Sequence, residues 1–241
     1  MLRSIVARIF LALSLLLPGQ AAVAQSNTIT IPVLCYHSVN SNPSGRYELS
    51  TAKFQEQMAY LKTNGFTPVS IDDYYAIMTK QKAPPAKPIL LTFDDAYADF
   101  ATVIAPVLQQ NAFKATQFVV TNWVNTANHL SQAQVTTLAA SFDIQNHTDT
   151  HARLSNYTAA FGEIVRASDR IQAWTGKRPQ FLAYPNGSTN ASVDQAAADN
   201  GMKMAFTVAG QKSTSAMNFL ELPRYVIPSS ETLSSFAKKV N

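Results

Sequence analysis

Cysteine is almost missing from this chain: Cys35 stands alone among 241 residues. No internal disulfide can form, so the fold must rest on its apolar core even in an oxidising compartment. Cys35 sits in the apolar run 31–36 and reads as a small buried hydrophobe rather than a nucleophile. Charge is also thin, at 14% of residues with a formal net charge of +4. No basic cluster and no basic stripe interleaved with aromatics is present, which leaves no argument for a nucleic-acid partner. Internal repeats and low-complexity tracts are lacking too. Histidine is scarce, and three of the four copies fall where strands are expected to end.

The apolar run over 9–17 is too short to span a bilayer comfortably. Arg3 and Arg8 precede it, and Ala22-Val23-Ala24 follows as a small-residue cleavage site. The combination reads as a secretory signal peptide over 1–24, cut before Gln25. No cysteine lies at the cut, so lipid attachment there is not expected. A secreted or periplasmic protein follows, with no integral membrane span after removal of the leader. Loss of Arg3 and Arg8 lowers the net charge from +4 to +2. The remaining 25–241 has the size of one domain.

Short apolar runs alternate with helical patterns along that domain. Strands are expected over 29–36, 66–69, 89–93, 114–120, 142–146, 180–184, 203–208 and 222–227. Helices are expected over 50–64, 71–80, 99–110 with a bend at Pro106, 131–141, 158–174, 190–200 and 230–240. Such alternation argues for an α/β fold with a parallel sheet, here a distorted or incomplete (β/α) barrel.

The chain is organised around Ile89-Leu90-Leu91-Thr92-Phe93-Asp94-Asp95. A continuous apolar run marks a strand buried on both faces. Its two carboxylates fall at the C-terminal end, where open α/β sheets and barrels carry their chemistry. Neighbours on a strand point to opposite sides, so one carboxylate could hold a metal while the other handles a proton. The plain alternative is that Asp95 caps the next helix. Further on, His147-Thr148-Asp149-Thr150-His151 places two imidazoles four residues apart, on one side of a helix or turn. Two imidazoles and a carboxylate with one open position suit catalytic zinc.

Thr92-Phe93-Asp94-Asp95 followed by this His-x-x-x-His segment resembles the polysaccharide deacetylases, carbohydrate esterase family 4, over essentially all of 25–241. The resemblance implies a catalytic domain in which Asp95, His147 and His151 bind a divalent metal, zinc first with cobalt or nickel as alternatives. Asp94 is then the general base. Two departures stand out. The family's Arg-Pro-Pro-Tyr-Gly is here Ala183-Tyr184-Pro185-Asn186-Gly187, so the arginine that steadies the base is missing. Asn186 occupies the oxyanion-stabilising position, which works through its backbone N–H. Arg224, in Leu222-Pro223-Arg224, is the candidate replacement; a structural or surface role is the alternative. The family's late Leu-x-His is also absent, because no histidine follows His151. Cys35-Tyr36-His37-Ser38 instead resembles the subgroup containing the poly-N-acetylglucosamine deacetylases, in which an early histidine is the general acid. That implies the role for His37.

Trp123, Tyr97 and Tyr184, with Tyr36, are candidates for a sugar-binding groove, each with core packing as the alternative. Trp174 reads as core and His129 as a surface residue without a partner. The expected activity is metal-dependent removal of N-acetyl groups from an N-acetylglucosamine polysaccharide. Alternatives are O-acetyl removal from xylan or another glycan, a non-catalytic glycan-binding protein on the same fold, and an amidase acting on a small cyclic amide.

Overall fold

The computed structural model describes residues 28–241. The expected leader over 1–24 lies outside them. In chain order the elements begin with β1 (Thr30–Ile31), β2 (Val33–Tyr36), β3 (Ser38–Asn40), β4 (Glu48–Ser50), α1 (Thr51–Thr63), β5 (Thr67–Pro68), α2 (Ile71–Met78) and β6 (Pro88–Phe93). A π-helical turn, Phe100–Ile104, runs into α3 (Ala105–Gln110), followed by β7 (Thr116–Val119), α4 (Gln132–Leu138), β8 (Asp143–Asn146) and α5 (Tyr157–Thr175). The chain ends with β9 (Phe181–Ala183), α6 (Ala191–Asp199), β10 (Met204–Phe206), β11 (Ser213–Thr214), β12 (Tyr225–Val226) and α7 (Leu233–Val240).

The parallel sheet runs β10-β9-β8-β7-β6-β2-β12, with β5 paired to the start of β6. It curls far enough that one segment touches both edges: Leu222 bridges to Phe206 on β10, and Tyr225 pairs with Leu34 on β2. This is the expected distorted (β/α) barrel. Period-two alternation sorts its strands. Ile89, Leu91 and Phe93 face one apolar cluster beneath α1, α3 and α7. Leu90 faces the other way, with Val33, Phe118, Phe181, Met204 and Phe206. Thr92 and Asp94 continue the Leu90 side upward. The period therefore carries Asp94 to the rim of that second cluster.

Local chemistry sets the helix ends. Ser50, Ser70, Ser131, Asn156 and Asn190 each cap a helix through a side-chain oxygen. Gly176 closes α5 with φ 75, the left-handed geometry a glycine accepts without strain.

Four details differ from expectation. Pro32 splits the first strand, so that β1 pairs antiparallel with β11 while β2 enters the sheet. The β3–β4 pair has no periodic signature. Pro106 does not bend a continuous helix: the chain takes up an extra residue in the π turn just before it, since proline cannot donate to the preceding turn. The last helix is capped by Thr232 rather than Ser230, because a turn from Pro228 to Glu231 precedes it. Among the described residues no helix is long and apolar enough to cross a membrane.

Candidate active site and metal centre

The C-terminal ends of β2, β6 and β8 meet at one point, with Arg224 arriving from the segment that closes the sheet. After Phe93 the backbone turns sharply, with Asp95 at φ 76 and Ala96 at φ 60. Two consecutive non-glycine residues in left-handed backbone are costly and persist only where surrounding contacts impose them. The loop after β8 repeats the device, with Thr148 at φ 67 and His151 at φ 60. His147 and His151 are therefore brought together by a turn, not by a helix. Local bonds shape it: Thr148 N–H donates to Asn146 Oδ1 (2.7 Å), and His151 N–H to Thr148 Oγ1 (3.2 Å).

Asp95, His147 and His151 offer three ligand atoms within 4.8 Å of one another. Asp95 Oδ1 lies 3.4 Å from His147 Nε2 and 3.6 Å from His151 Nε2. His147 Nδ1 is 2.7 Å from the Ala183 carbonyl. A carbonyl only accepts, so Nδ1 carries the proton and Nε2 presents its lone pair to the cluster. Asp95 Oδ1 is buried with no hydrogen-bond partner. A buried carboxylate oxygen left unpaired next to two imidazole nitrogens is a donor set suited to a cation. Two nitrogens and a carboxylate fit zinc, cobalt or nickel.

Asp94 lies beside this cluster, 3% exposed, with Oδ2 3.7 Å from His147 Nε2. Arg224, fully buried, grips it with both arms: Nη1 donates to Oδ1 at 2.8 Å and Nη2 to Oδ2 at 2.7 Å. Nη1 also donates to Thr92 Oγ1 (3.0 Å) and Nε to the Thr207 carbonyl (3.3 Å). The guanidinium carbon stands 5.5 Å from the Phe118 ring centre and 5.9 Å from that of Phe206, so the cation caps the apolar interior of the sheet. Burial alone would raise the Asp94 carboxyl, but the charge of Arg224 and the hydrogen bonds it donates outweigh it and hold it well below the usual carboxylate range. Arg224 thus pairs with Asp94 from an element other than the one that carries Ala183.

Cys35 is fully buried and its Sγ donates to Asp94 Oδ2 at 3.3 Å; burial pushes the thiol well up. His37 stands on the same side, its ligand nitrogen within 4.8 Å of Cys35 Sγ and an Asp94 oxygen. Its ring stacks on Tyr47 with centroids 5.0 Å apart. Burial lowers the His37 pKa against the pull of Asp94 and Asp95. Asn186 is exposed, in left-handed backbone (φ 57), within a single 3₁₀ turn, Pro185–Gly187, that follows Ala183.

The aromatic candidates divide. Trp123 and Tyr97 are half-buried at this rim, and the Trp123 ring packs 5.1 Å from His151. Tyr184 is not a groove residue: it is buried against α6, its hydroxyl donating to Asp194 Oδ1 at 2.8 Å. Leu182 of β9 and Tyr184 just after it pack into the same apolar cluster with α6, away from the site. Tyr36 is likewise buried, bonded to Gln57 Oε1 at 2.8 Å. Trp174 is half-buried against the core. His129 does have partners: it lies between Tyr97 and Trp123, with ring centroids 5.1 Å from each. Tyr47 escaped the sequence reading because it sits in a polar loop with no periodicity. Glu163, on α5, also escaped, although a carboxylate on the apolar stripe of Ala160, Ile164 and Ala167 was a legible signal.

The family model for polysaccharide deacetylases matches residues 81–205, which span β6 through β10. This chain belongs to the polysaccharide deacetylase family. YxkH of Bacillus subtilis is 28% identical over 180 residues, 73% of this chain. The poly-beta-1,6-N-acetyl-D-glucosamine N-deacetylase of Escherichia coli K12 is 35% identical over 95 residues, 39% of this chain. The chain spans 64% of the length of YxkH and 14% of the Escherichia coli enzyme. In fold it resembles the deacetylase PplD of Streptococcus pyogenes, solved with acetate, with a TM-score of 0.82 at 23% identity over 88% of this chain and 99% of that one. In this deacetylase-family chain, the matched region contains Asp94, Asp95, His147 and His151, while His37 and Arg224 lie outside it.

Proposed function

We propose that this chain is a metal-dependent hydrolase that removes N-acetyl groups from an N-acetylglucosamine polysaccharide. The supporting observation is the convergence of an arginine-paired carboxylate, Asp94, on the Asp95–His147–His151 cluster with its unpaired buried oxygen. Those three residues would hold zinc, or cobalt or nickel. A divalent ion bound there supplies the Lewis acidity that makes water a nucleophile near neutral pH.

The remaining steps belong to the chain. Asp94, kept ionised by Arg224, accepts the proton of the water that attacks the acetyl carbonyl. Its low pKa costs basicity but guarantees the ionised form at any neutral pH. The backbone N–H of Asn186 stabilises the developing oxyanion, a contribution of about 3 kcal/mol for one well-placed donor. His37 delivers a proton to the departing amine nitrogen as the C–N bond breaks, so acetate and a free amino sugar result. Trp123 and Tyr97 line the approach for the glycan. The name of the Escherichia coli relative supports a poly-N-acetylglucosamine substrate, and the leader reading of 1–24 supports a site of action outside the cytoplasm.

The test is acetate release from poly-β-1,6-N-acetylglucosamine, chitin oligomers and acetylxylan by protein loaded with zinc, cobalt or nickel. The expected result is release from the N-acetylglucosamine substrates, reduced about 10²- to 10⁴-fold by Asp94→Asn. Release from acetylxylan alone reassigns the linkage. Glycan binding without release under any metal overturns the enzyme reading.

A further inference from the structure

The loop 147–151 carries both imidazoles, and although Asn146 and Thr148 bond to it locally, Thr148 and His151 are left-handed without being glycine. Contacts from outside the loop add to its hold. Glu163 of α5 is 7% exposed and on the apolar stripe of its helix. Its Oε2 accepts from the Asp149 N–H (3.1 Å), the Thr150 N–H (2.8 Å) and the Thr150 hydroxyl (3.1 Å). Its Oε1 is paired with Arg166, which in turn donates to Asp149 Oδ2 at 3.1 Å. Asp149 Oδ1 is taken by Thr121 Oγ1 (2.7 Å) and Arg170 (2.8 Å). A carboxylate on a buried helix face is costly unless charge-assisted bonds offset it. Here one of its oxygens is committed wholly to two adjacent residues of the loop.

We propose that Glu163 is a positioning residue of the metal centre: by fixing the N–H groups of Asp149 and Thr150 it aims His151 at Asp95, beside a His147 held separately by the Ala183 carbonyl. The proposal rests on reading Asp95, His147 and His151 as ligands. Asn146, just before the loop, is anchored separately to the Ile164 carbonyl and Ser168 Oγ, each at 2.9 Å. Losing Glu163 therefore loosens the loop without unseating β8.

The test compares the full chain with Glu163→Ala, Glu163→Gln and, as a control on the exposed face of α5, Asp169→Ala. Three quantities are read: Co²⁺ affinity by visible absorption, unfolding temperature, and hydrogen exchange at the Thr150 amide. Glu163→Ala is expected to bind Co²⁺ about 10- to 100-fold more weakly, the usual effect of removing a group that orients a ligand. Its Thr150 amide should exchange faster. Glu163→Gln, whose carbonyl still accepts, should recover most of the affinity, and Asp169→Ala should match the wild type. A folded Glu163→Ala protein with wild-type affinity and exchange overturns the proposal, even if its unfolding temperature falls. Should that variant not fold, Glu163→Asp, one methylene shorter with the charge toward Arg166 kept, carries the same measurement and expectation. If the wild type binds no Co²⁺, the ligand reading fails instead, and the Thr150 exchange rates alone decide whether Glu163 holds the loop.

Discussion

Replacing Arg224 with methionine removes a buried cation from a buried anion. Arg224 is fully enclosed and Asp94 is 3% exposed, so solvent screens neither. Two hydrogen bonds to Asp94 vanish, at 2.8 and 2.7 Å, together with those to Thr92 and the Thr207 carbonyl. Breaking a buried pair from one side costs about 3–5 kcal/mol, because the other charge stays behind uncompensated. At about 2–4 °C per kcal/mol for a domain of this size, the melting temperature should fall by roughly 6–20 °C. Circular dichroism melting measures the fall. The double variant Arg224→Met with Asp94→Asn leaves no stranded charge and should regain about half of the loss or more. Arg224→Lys keeps the charge without the two-armed grip and should land between wild type and Arg224→Met. Acetate release by Arg224→Met should drop about 10²-fold through misplacement of Asp94. A methionine variant that melts with the wild type, or a double variant no more stable than the single one, would refute the reasoning.

Gly187 tests the turn that presents Asn186. It lies at φ 66, and a Cβ there would sit 2.5 Å from Val208 Cγ2 and 2.7 Å from the Val208 nitrogen. Gly187→Ala should cost about 1–3 kcal/mol and lower kcat more than it raises KM, since the displaced donor acts only in the transition state; melting and steady-state kinetics check both. Asp99 tests pH dependence. Its Oδ2 accepts from Ser38 Oγ at 2.5 Å and from the Val39 N–H at 3.0 Å, just after His37, and burial raises its pKa to about 6. An acid whose folded pKa is raised destabilises the fold once ionised, so the wild type loses stability as pH rises from about 4 to about 6. Relative to wild type, Asp99→Asn should therefore be more stable at pH 7 than at pH 4 in denaturant titrations. A difference that is flat, or that runs the other way, removes Asp99 as the group responsible.

Much of the fold can be read from local pattern. Ile89, Leu90, Leu91 and Phe93 are apolar with only Thr92 between them, and a strand needs that only when both its faces are covered, as they are here. Capping residues such as Ser50, Ser131 and Asn190 act within three residues of themselves, so their helices start where expected. Local pattern fails at non-local or aperiodic features. Pro32 has apolar neighbours, so the pattern continues the strand across it. The β3–β4 pair consists of two three-residue strands whose pairing depends on a loop closing between them. Tyr184 looked available for sugar until α6 supplied Asp194 for its hydroxyl.

The sequence by itself determined the alternation of strands and helices, the family and the residues that could do chemistry at strand ends. These are properties of spacing, and spacing is local. Tertiary structure alone decided which of them meet. Arg224 and Asp94 are separated by 130 positions, and no periodicity links them. They pair because the sheet curls until its last segment reaches β2, and because a buried cation at that closure would be prohibitive without an anion to receive it.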